Sequence, residues 1–380
     1  MSGGVGLVRC PGVAAYDHGP GHPLRPDRVR YAWDLIDAVG LSTEPGVVDL
    51  AARRAVDEEI GLVHSDAYIT ATRSAGQDVP GSYARWGYGP GDNPVFPRMH
   101  DAAADIVGAS LVGAEAVWRG DVLHAFNAAG GLHHAMPERA SGFCVYDDPA
   151  VAIAWLLAHG AERIAYVDLD VHHGDGPQAI FWHDPRVLTV SIHESGETLF
   201  PGTGARDERG AGLAKGTKVN VPLPAGTGDR PWLRAIDEVV LPVVADHRPQ
   251  VLVTQLGCDS HLTDPLAHLE ITTTAYAEAA RRLHRLAHDT AGGRWLATGG
   301  GGYQRVTVVP RAWTIDFAAM VGVELDDRIP DAWRRAVATA SGTESPATFS
   351  DPPVPEMDVH ADRAVDEARE GALKALGLAF

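Results

Sequence analysis

The chain has 380 residues, 45% hydrophobic and 22% charged, a composition that excludes disorder and fibrous repeats and suits one large domain. Asp and Glu outnumber Lys and Arg 50 to 32, for a net charge of −18, and no basic cluster supplies the footprint that nucleic acid or an anionic membrane requires. Cys10, Cys144 and Cys258 are far apart with no Cys-x-x-Cys pair, which argues against a disulfide framework, and no apolar run approaches the roughly 20 residues of a membrane-crossing helix; we expect a cytoplasmic protein.

In chain order, residues 78–97 are dense in Gly, Pro and aromatics and predict a long ordered surface loop. Residues 102–118 predict a helix and 122–126 a strand, followed by a helix at 149–159 and strands at 164–167 and 187–190. Residues 196–228 carry no regular period because Gly and Pro interrupt it throughout. Beyond them come a helix at 232–244, a strand at 251–254, a helix at 272–288 and a strand at 295–298. The strand segments are apolar on both faces, which predicts an α/β fold with a central, mostly parallel sheet flanked by helices. The Ser/Thr/Pro-rich stretch 341–355 reads as a linker and 361–376 as a terminal helix, so the expected division is a catalytic domain at 1–340 and a linker with tail at 341–380.

Four polar clusters follow predicted strands, where open α/β sheets place ligand sites. The first is Gly130-Gly131-Leu132-His133-His134, whose adjacent imidazoles suit ligands or a general base with a partner, although taken alone the cluster reads more readily as incidental loop histidines. The second, residues 168–176, holds Asp168, Asp170, His172, His173 and Asp175 directly after a strand. In an extended segment Asp168, Asp170 and His172 share a face, and Asp170 with His172 can bind one divalent cation. The third, residues 255–265, offers Asp259 or Asp264 as a further oxygen ligand, although an Asp capping a helix after Pro265 has equal weight. In the fourth, Gly299 to Gly302 bring backbone close to something, and the Tyr303 hydroxyl can donate to an oxyanion; a phosphate cradle ranks lower, since the Gly-x-x-x-x-Gly-Lys-Ser/Thr pattern and a nearby lysine are missing. The set describes metal-assisted amide hydrolysis, with zinc or iron(II) suited to the donors.

In these and further segments the chain resembles the zinc-dependent histone deacetylase superfamily, most closely its class I-like bacterial acetoin-utilisation deacetylases. The matching pieces are residues 22–28, 91–94, 132–135, 141–144, 166–176, 200–204 and 299–303, in the family's order. The resemblance implies an arginase/deacetylase-like fold and a hydrolase that removes acetyl groups from N-epsilon-acetyl-lysine in proteins. It assigns Asp170, His172 and Asp264 to the catalytic metal, His134 to general base and acid, His133 to its electrostatic partner, Asp168 and Asp175 to the orientation of the two imidazoles, and Tyr303 to the oxyanion. Phe143 and Phe200 match the walls of the acyl-lysine channel, Gly142 the acceptor of the amide N–H, Asp92 the rim carboxylate and Arg28 the lining of an internal cavity. A structural potassium ion is implied at Asp168, Asp170, His172, Ser191 and Ile192. Leu266, where polyamine deacetylases often carry an acidic residue nearby, favours a protein substrate; the bacterial branch suggests acetylated metabolic enzymes such as acyl-CoA synthetases, with acetylpolyamine or small-amide hydrolysis as the alternative and a non-catalytic acyl-lysine-binding protein behind it. The sequence departs from eukaryotic class I relatives at Leu132, where they usually have an aromatic residue, and in the loop 81–90.

Overall fold

The computed structural model describes residues 3–355 and 360–377; the first two residues of the expected domain, and 356–359 and 378–380 of the expected tail, lie outside the described residues. Among the described residues eight strands form one sheet: β1 Val5–Arg9, β2 Val47–Ala51, β3 His124–Asn127, β4 Ile164–Asp168, β5 Val187–Glu194, β6 Lys218–Leu223, β7 Val251–Gln255 and β8 Trp295–Thr298. Their order is β2-β1-β3-β8-β7-β4-β5-β6, and every neighbouring pair is parallel. Strands β3, β4, β5, β7 and β8 are buried along their whole length, as their two-sided apolar character predicts.

Helices cover both faces. A side chain at Gly113, on helix Met99–Arg119, would meet Ala125 and Leu296, whereas Phe126 stacks on Phe317 of helix Val309–Val321 with ring centroids 6.1 Å apart. Neighbouring residues on a strand point to opposite faces, so these two helices lie on opposite sides of the sheet. Helix Asp148–Ala158 packs beside Met99–Arg119, and helix Thr273–Ala291 packs beside Val309–Val321.

Three strands escape the sequence reading. β1 carries Gly6, and β2 is a half-exposed edge without an apolar run. β6 falls in the stretch 196–228 that reads as irregular; its buried Lys218 and Asn220 disguise it, because the Lys218 ammonium donates to the Val187 carbonyl (2.6 Å) and the Asn220 amide to Gln178 (2.8 Å). The predicted helix 232–244 runs from Asp229 to His247 with one wide turn at Ile236–Val240, beside Pro242, which has no N–H to give. Of residues 341–355, read as a linker, Ser341 ends helix Asp331–Ser341 and the rest are pinned to the body: Asp351 accepts from Arg311 (2.9 Å), His261 (2.9 Å) and both the backbone N–H and the hydroxyl of Thr273 (2.9 Å each). Helix Ala361–Leu376 then lies along β6 and the helical stretch Asp229–His247.

Candidate active site

β3, β8, β7 and β4 are consecutive in the sheet, so the loops leaving their C-terminal ends converge on one crevice. Asp148 organises the first loop: its buried carboxylate accepts the N–H groups of Gly131 (3.0 Å) and Leu132 (2.8 Å) and the Ser110 hydroxyl. The two imidazoles that follow are buried, with their Nε2 atoms 3.1 Å apart. Each donates from Nδ1 to its own carboxylate, His133 to Asp168 at 2.7 Å and His134 to Asp175 at 2.6 Å. Tyr166 also donates to Asp168 (2.6 Å).

Their environments drive the two rings apart. Burial opposes charge on His133, but Asp168 and Asp170 outweigh it and lift its pKa to about 10. Burial and the charge on His133 together push His134 down to about 4 against the pull of Asp175. The pair therefore holds one extra proton, carried by His133, while His134 Nε2 stays unprotonated and faces the His133 Nε2–H at 3.1 Å.

Past Asp168 the chain bends instead of continuing as the extended segment expected from sequence. Asp168 accepts the Asp170 N–H (3.1 Å) and Asp170 accepts the His172 N–H (3.0 Å), two successive side-chain turns that bring Asp170 and His172 together. The other Asp170 oxygen accepts from Gln255 (2.6 Å) and from the N–H of Gly301 (2.7 Å). The glycine run exists for this approach: a Cβ on Gly301 would collide with the carboxylates of Asp170 and Asp259.

Donor atoms of Asp170, His172 and Asp259 lie within 4.8 Å of one another. His172 Nδ1 is 3.0 Å from Asp170 and 3.1 Å from Asp259, whose second oxygen accepts the Val171 N–H (2.9 Å). Asp264 lies outside that three-residue cluster; it caps no helix, the next one starting at Thr273, and accepts the N–H groups of Tyr303 (2.9 Å) and Leu266 (3.0 Å). Burial and the charge of Asp259 raise Asp264 to about 7, and burial and Asp170 raise Asp259 to about 6. Although burial opposes it, Asp170 and Asp259 raise His172 to about 10. This electron-rich pocket draws a proton onto His172, the position a cation competes for, and its oxygen and imidazole donors fit a divalent, zinc-type metal.

The remaining predicted residues surround this centre. Tyr303 and Phe143 meet edge to face at 5.8 Å, and Phe200, 42% exposed, stands 5.0 Å from the His134 ring. Burial holds the Tyr303 hydroxyl protonated, far above its ordinary range. Phe143 adopts a left-handed backbone (φ 70°), and its carbonyl is held by Tyr16 (2.8 Å) and His18 (3.1 Å). Gly142 beside it leaves room for the His134 ring, which any side chain there would strike. Asp92 is exposed, its carbonyl 3.2 Å from His22 Nε2, and the His22 ring touches Phe143 at 4.5 Å. Arg28 is buried, donates to the Gly302 carbonyl (3.0 Å) and lies over Trp313 at 5.1 Å; it shares with Leu24, His134, Phe143, His172 and Tyr303 a cavity of about 20 Å³. Leu266 is half-buried, and Ser191, paired in register with Asp168, is 2.9 Å from His193 Nδ1. Sequence reasoning passed over Asp148, Tyr166 and the role of Gln255, since only the assembled sheet shows what they hold.

Residues 22–320 match the family model described as the histone deacetylase domain. The acetoin utilization protein AcuC of Bacillus subtilis (strain 168) is 41% identical over 348 residues, 91% of this chain and 89% of that protein. AcuC of Staphylococcus xylosus is 33% identical over 350 residues, covering 91% and 90%. The crystal structure of an HDAC homolog from Aquifex aeolicus superposes with a TM-score of 0.84 at 30% identity, covering 96% of this chain and all of that one. With its paired imidazoles, buried carboxylates and parallel sheet, the chain belongs to the histone deacetylase family, in the class I-like bacterial acetoin-utilisation branch, and is a metal-dependent amidohydrolase.

Proposed function

We propose that the protein removes the acetyl group from N-epsilon-acetyl-lysine in proteins. The observation that carries this reading is the His133–His134 pair, each ring locked to its own carboxylate, beside the Asp170–His172 donor nest and under the Phe143 and Phe200 rings. A neutral acyl-lysine stem suits an apolar slot better than a charged lysine does.

Asp170, His172 and Asp264 are the proposed ligands of a divalent cation, zinc or iron(II), which when bound supplies Lewis acidity toward a water and the substrate carbonyl. His134 Nε2, the unprotonated nitrogen of the pair, takes the proton of the attacking water, with Asp175 steadying the charge that forms. The Tyr303 hydroxyl donates to the oxygen that becomes negative, and Gly142 offers its carbonyl to the amide N–H. As the C–N bond breaks, His134 returns its proton to the departing amine, and lysine and acetate leave. Asp92 grips the substrate backbone at the rim, Arg28 lines the acetate's retreat, and Leu266 borders the mouth without a charge that would attract a polyamine. A potassium ion behind the site, on Asp168, Asp170, His172, Ser191 and Ile192, is supported by the β4–β5 register that pairs Asp168 with Ser191. We further propose a cytoplasmic setting, acetylated metabolic enzymes such as acyl-CoA synthetases as partners, and 1–340 as the catalytic unit with 341–380 as its appendage.

The test is acetate release by metal-stripped and metal-restored enzyme from an acetyl-lysine peptide beside acetylspermidine. Metal-dependent turnover that favours the peptide is expected. Preference for acetylspermidine moves the assignment to polyamines, and tight peptide binding without acetate release moves it to a binding protein.

A further inference from the structure

Because all strands run parallel, the sheet end opposite the active site is formed by first residues, among them His124 of β3 and its register partner Trp295 of β8. Over this end passes helix Thr273–Ala291, which carries His284 and His288 one turn apart on one face. The three rings meet pairwise edge to face, with centroids 4.9 Å (His124–His284), 5.1 Å (His124–His288) and 4.8 Å (His284–His288) apart. One nitrogen of each lies within 4.8 Å of the others. The Nε2 atoms of His284 and His288 share a hydrogen bond at 3.1 Å, which a bound ion would replace at nearly the same spacing, since two imidazole nitrogens span roughly 3.3 Å on a tetrahedral zinc with Zn–N of about 2.05 Å. His124 is buried and, among the described residues, its Nδ1 has no partner in hydrogen-bond geometry. A core histidine normally settles both nitrogens; here three imidazoles leave one unsettled. The chain also makes room for the cluster: Gly293, at φ +84°, passes so close to the His288 ring that a Cβ would crowd it.

We propose that His124, His284 and His288 form a second transition-metal site, separate from the hydrolytic centre, that takes a borderline divalent cation such as Zn2+, Ni2+ or Cu2+ and leaves a fourth position to water. Three neutral imidazoles without a carboxylate select such ions over Mg2+ or Ca2+. A strand and a helix hold the donors in place, so little ordering is left for the ion to impose. His288 is exposed and His284 half-exposed, which gives the ion a path and the water a place, while the charge of Arg285, which acts on His284, opposes it. Once bound, the ion ties the helix to β3.

The test is titration of the full chain with Co2+, read by absorbance, equilibrium dialysis and thermal unfolding. Wild type binds one equivalent more than the double variant His284→Gln/His288→Gln, and saturation of that site raises Tm by about 3 °C or more in wild type alone. The exposed His288→Ala, the variant least able to disturb folding, weakens the same equivalent by more than about 100-fold. Amide hydrolysis is equal in all three proteins. An Asp170→Asn chain, impaired at the hydrolytic centre, keeps the extra equivalent, so the site stands or falls independently of the catalytic reading. Equal stoichiometry in wild type and both histidine variants overturns the proposal.

Discussion

At the residue scale, neighbours separate two adjacent imidazoles into a charged and a neutral one. His133 faces Asp168 and Asp170 and is held charged to about pH 10, whereas His134, buried against that charge, is held neutral down to about pH 4. A general base works only while neutral, so with metal kept saturating at every pH kcat/KM should hold from pH 8 downward and fall as pH drops through about 4, not through 6.5. His133→Gln removes the adjacent positive charge, so the pKa of His134 rises and the acidic limb moves up with it. His134→Ala should lose about 10²- to 10⁴-fold in turnover with its metal content unchanged. A limb near 6.5 in the metal-saturated wild type would contradict this division of roles.

The choice between two aspartates belongs to the same scale. Asp259 sits in the tight donor cluster, while Asp264 lies beside it with its carboxylate aimed by the Tyr303 and Leu266 N–H groups. With Asp264 as ligand and Asp259 orienting His172 and the Val171 backbone, Asp264→Asn should weaken zinc binding beyond the roughly 10- to 100-fold expected of an outer partner such as Asp259→Asn. Isothermal titration of both variants measures it, and the reverse order would put Asp259 in the ligand set.

At the element scale, the two edges of the sheet are treated differently. β2 is short and half-exposed, with Asp49 on it paired to Arg9. β6 at the other edge is covered by helix Ala361–Leu376, which buries Val365 and Leu373 among its apolar residues. The ion pairs along that contact, Arg230–Asp362, Arg234–Asp366 and Arg369–Glu238, involve largely exposed groups and set register more than stability. Burial of Val365 and Leu373 contributes about 1.5–3 kcal/mol each as an upper figure. A chain ending at Pro355 should therefore melt several degrees lower and aggregate on warming, yet retain hydrolysis at low temperature, because the helix packs on β6 and its neighbouring helices and not on the histidine loop. Calorimetry beside an activity assay checks both halves; an unchanged Tm would show that the helix contributes nothing.

At the scale of the whole molecule, the same parallel sheet makes two dissimilar ends. The C-terminal ends of four central strands gather carboxylates and imidazoles in one crevice, and the opposite end brings His124 under the His284–His288 turn. Much of the first end was legible because its residues cluster locally: His133 with His134, Asp168 through Asp175, and Gly299 through Tyr303 are short runs after apolar strands. The helix expected at 361–376 is found within those limits. β1, β2 and β6 were not legible, since a glycine, an exposed edge and polar residues satisfied by backbone carbonyls each erase the apolar run that marks a buried strand.

Composition and local pattern by themselves determined the α/β alternation and the residue types of a hydrolytic site, because burial periodicity and adjacent donors are written within a few positions of one another. The strand order, the hold of Asp148 on the histidine loop, the grip of Gln255 and Gly301 on Asp170, the rivalry of Asp259 with Asp264 and the meeting of His124 with His284 and His288 were decided only by the tertiary structure. Each joins groups remote along the chain or separates groups close along it, and its energy depends on distances of a few ångströms that no local pattern carries until the sheet has assembled in this order.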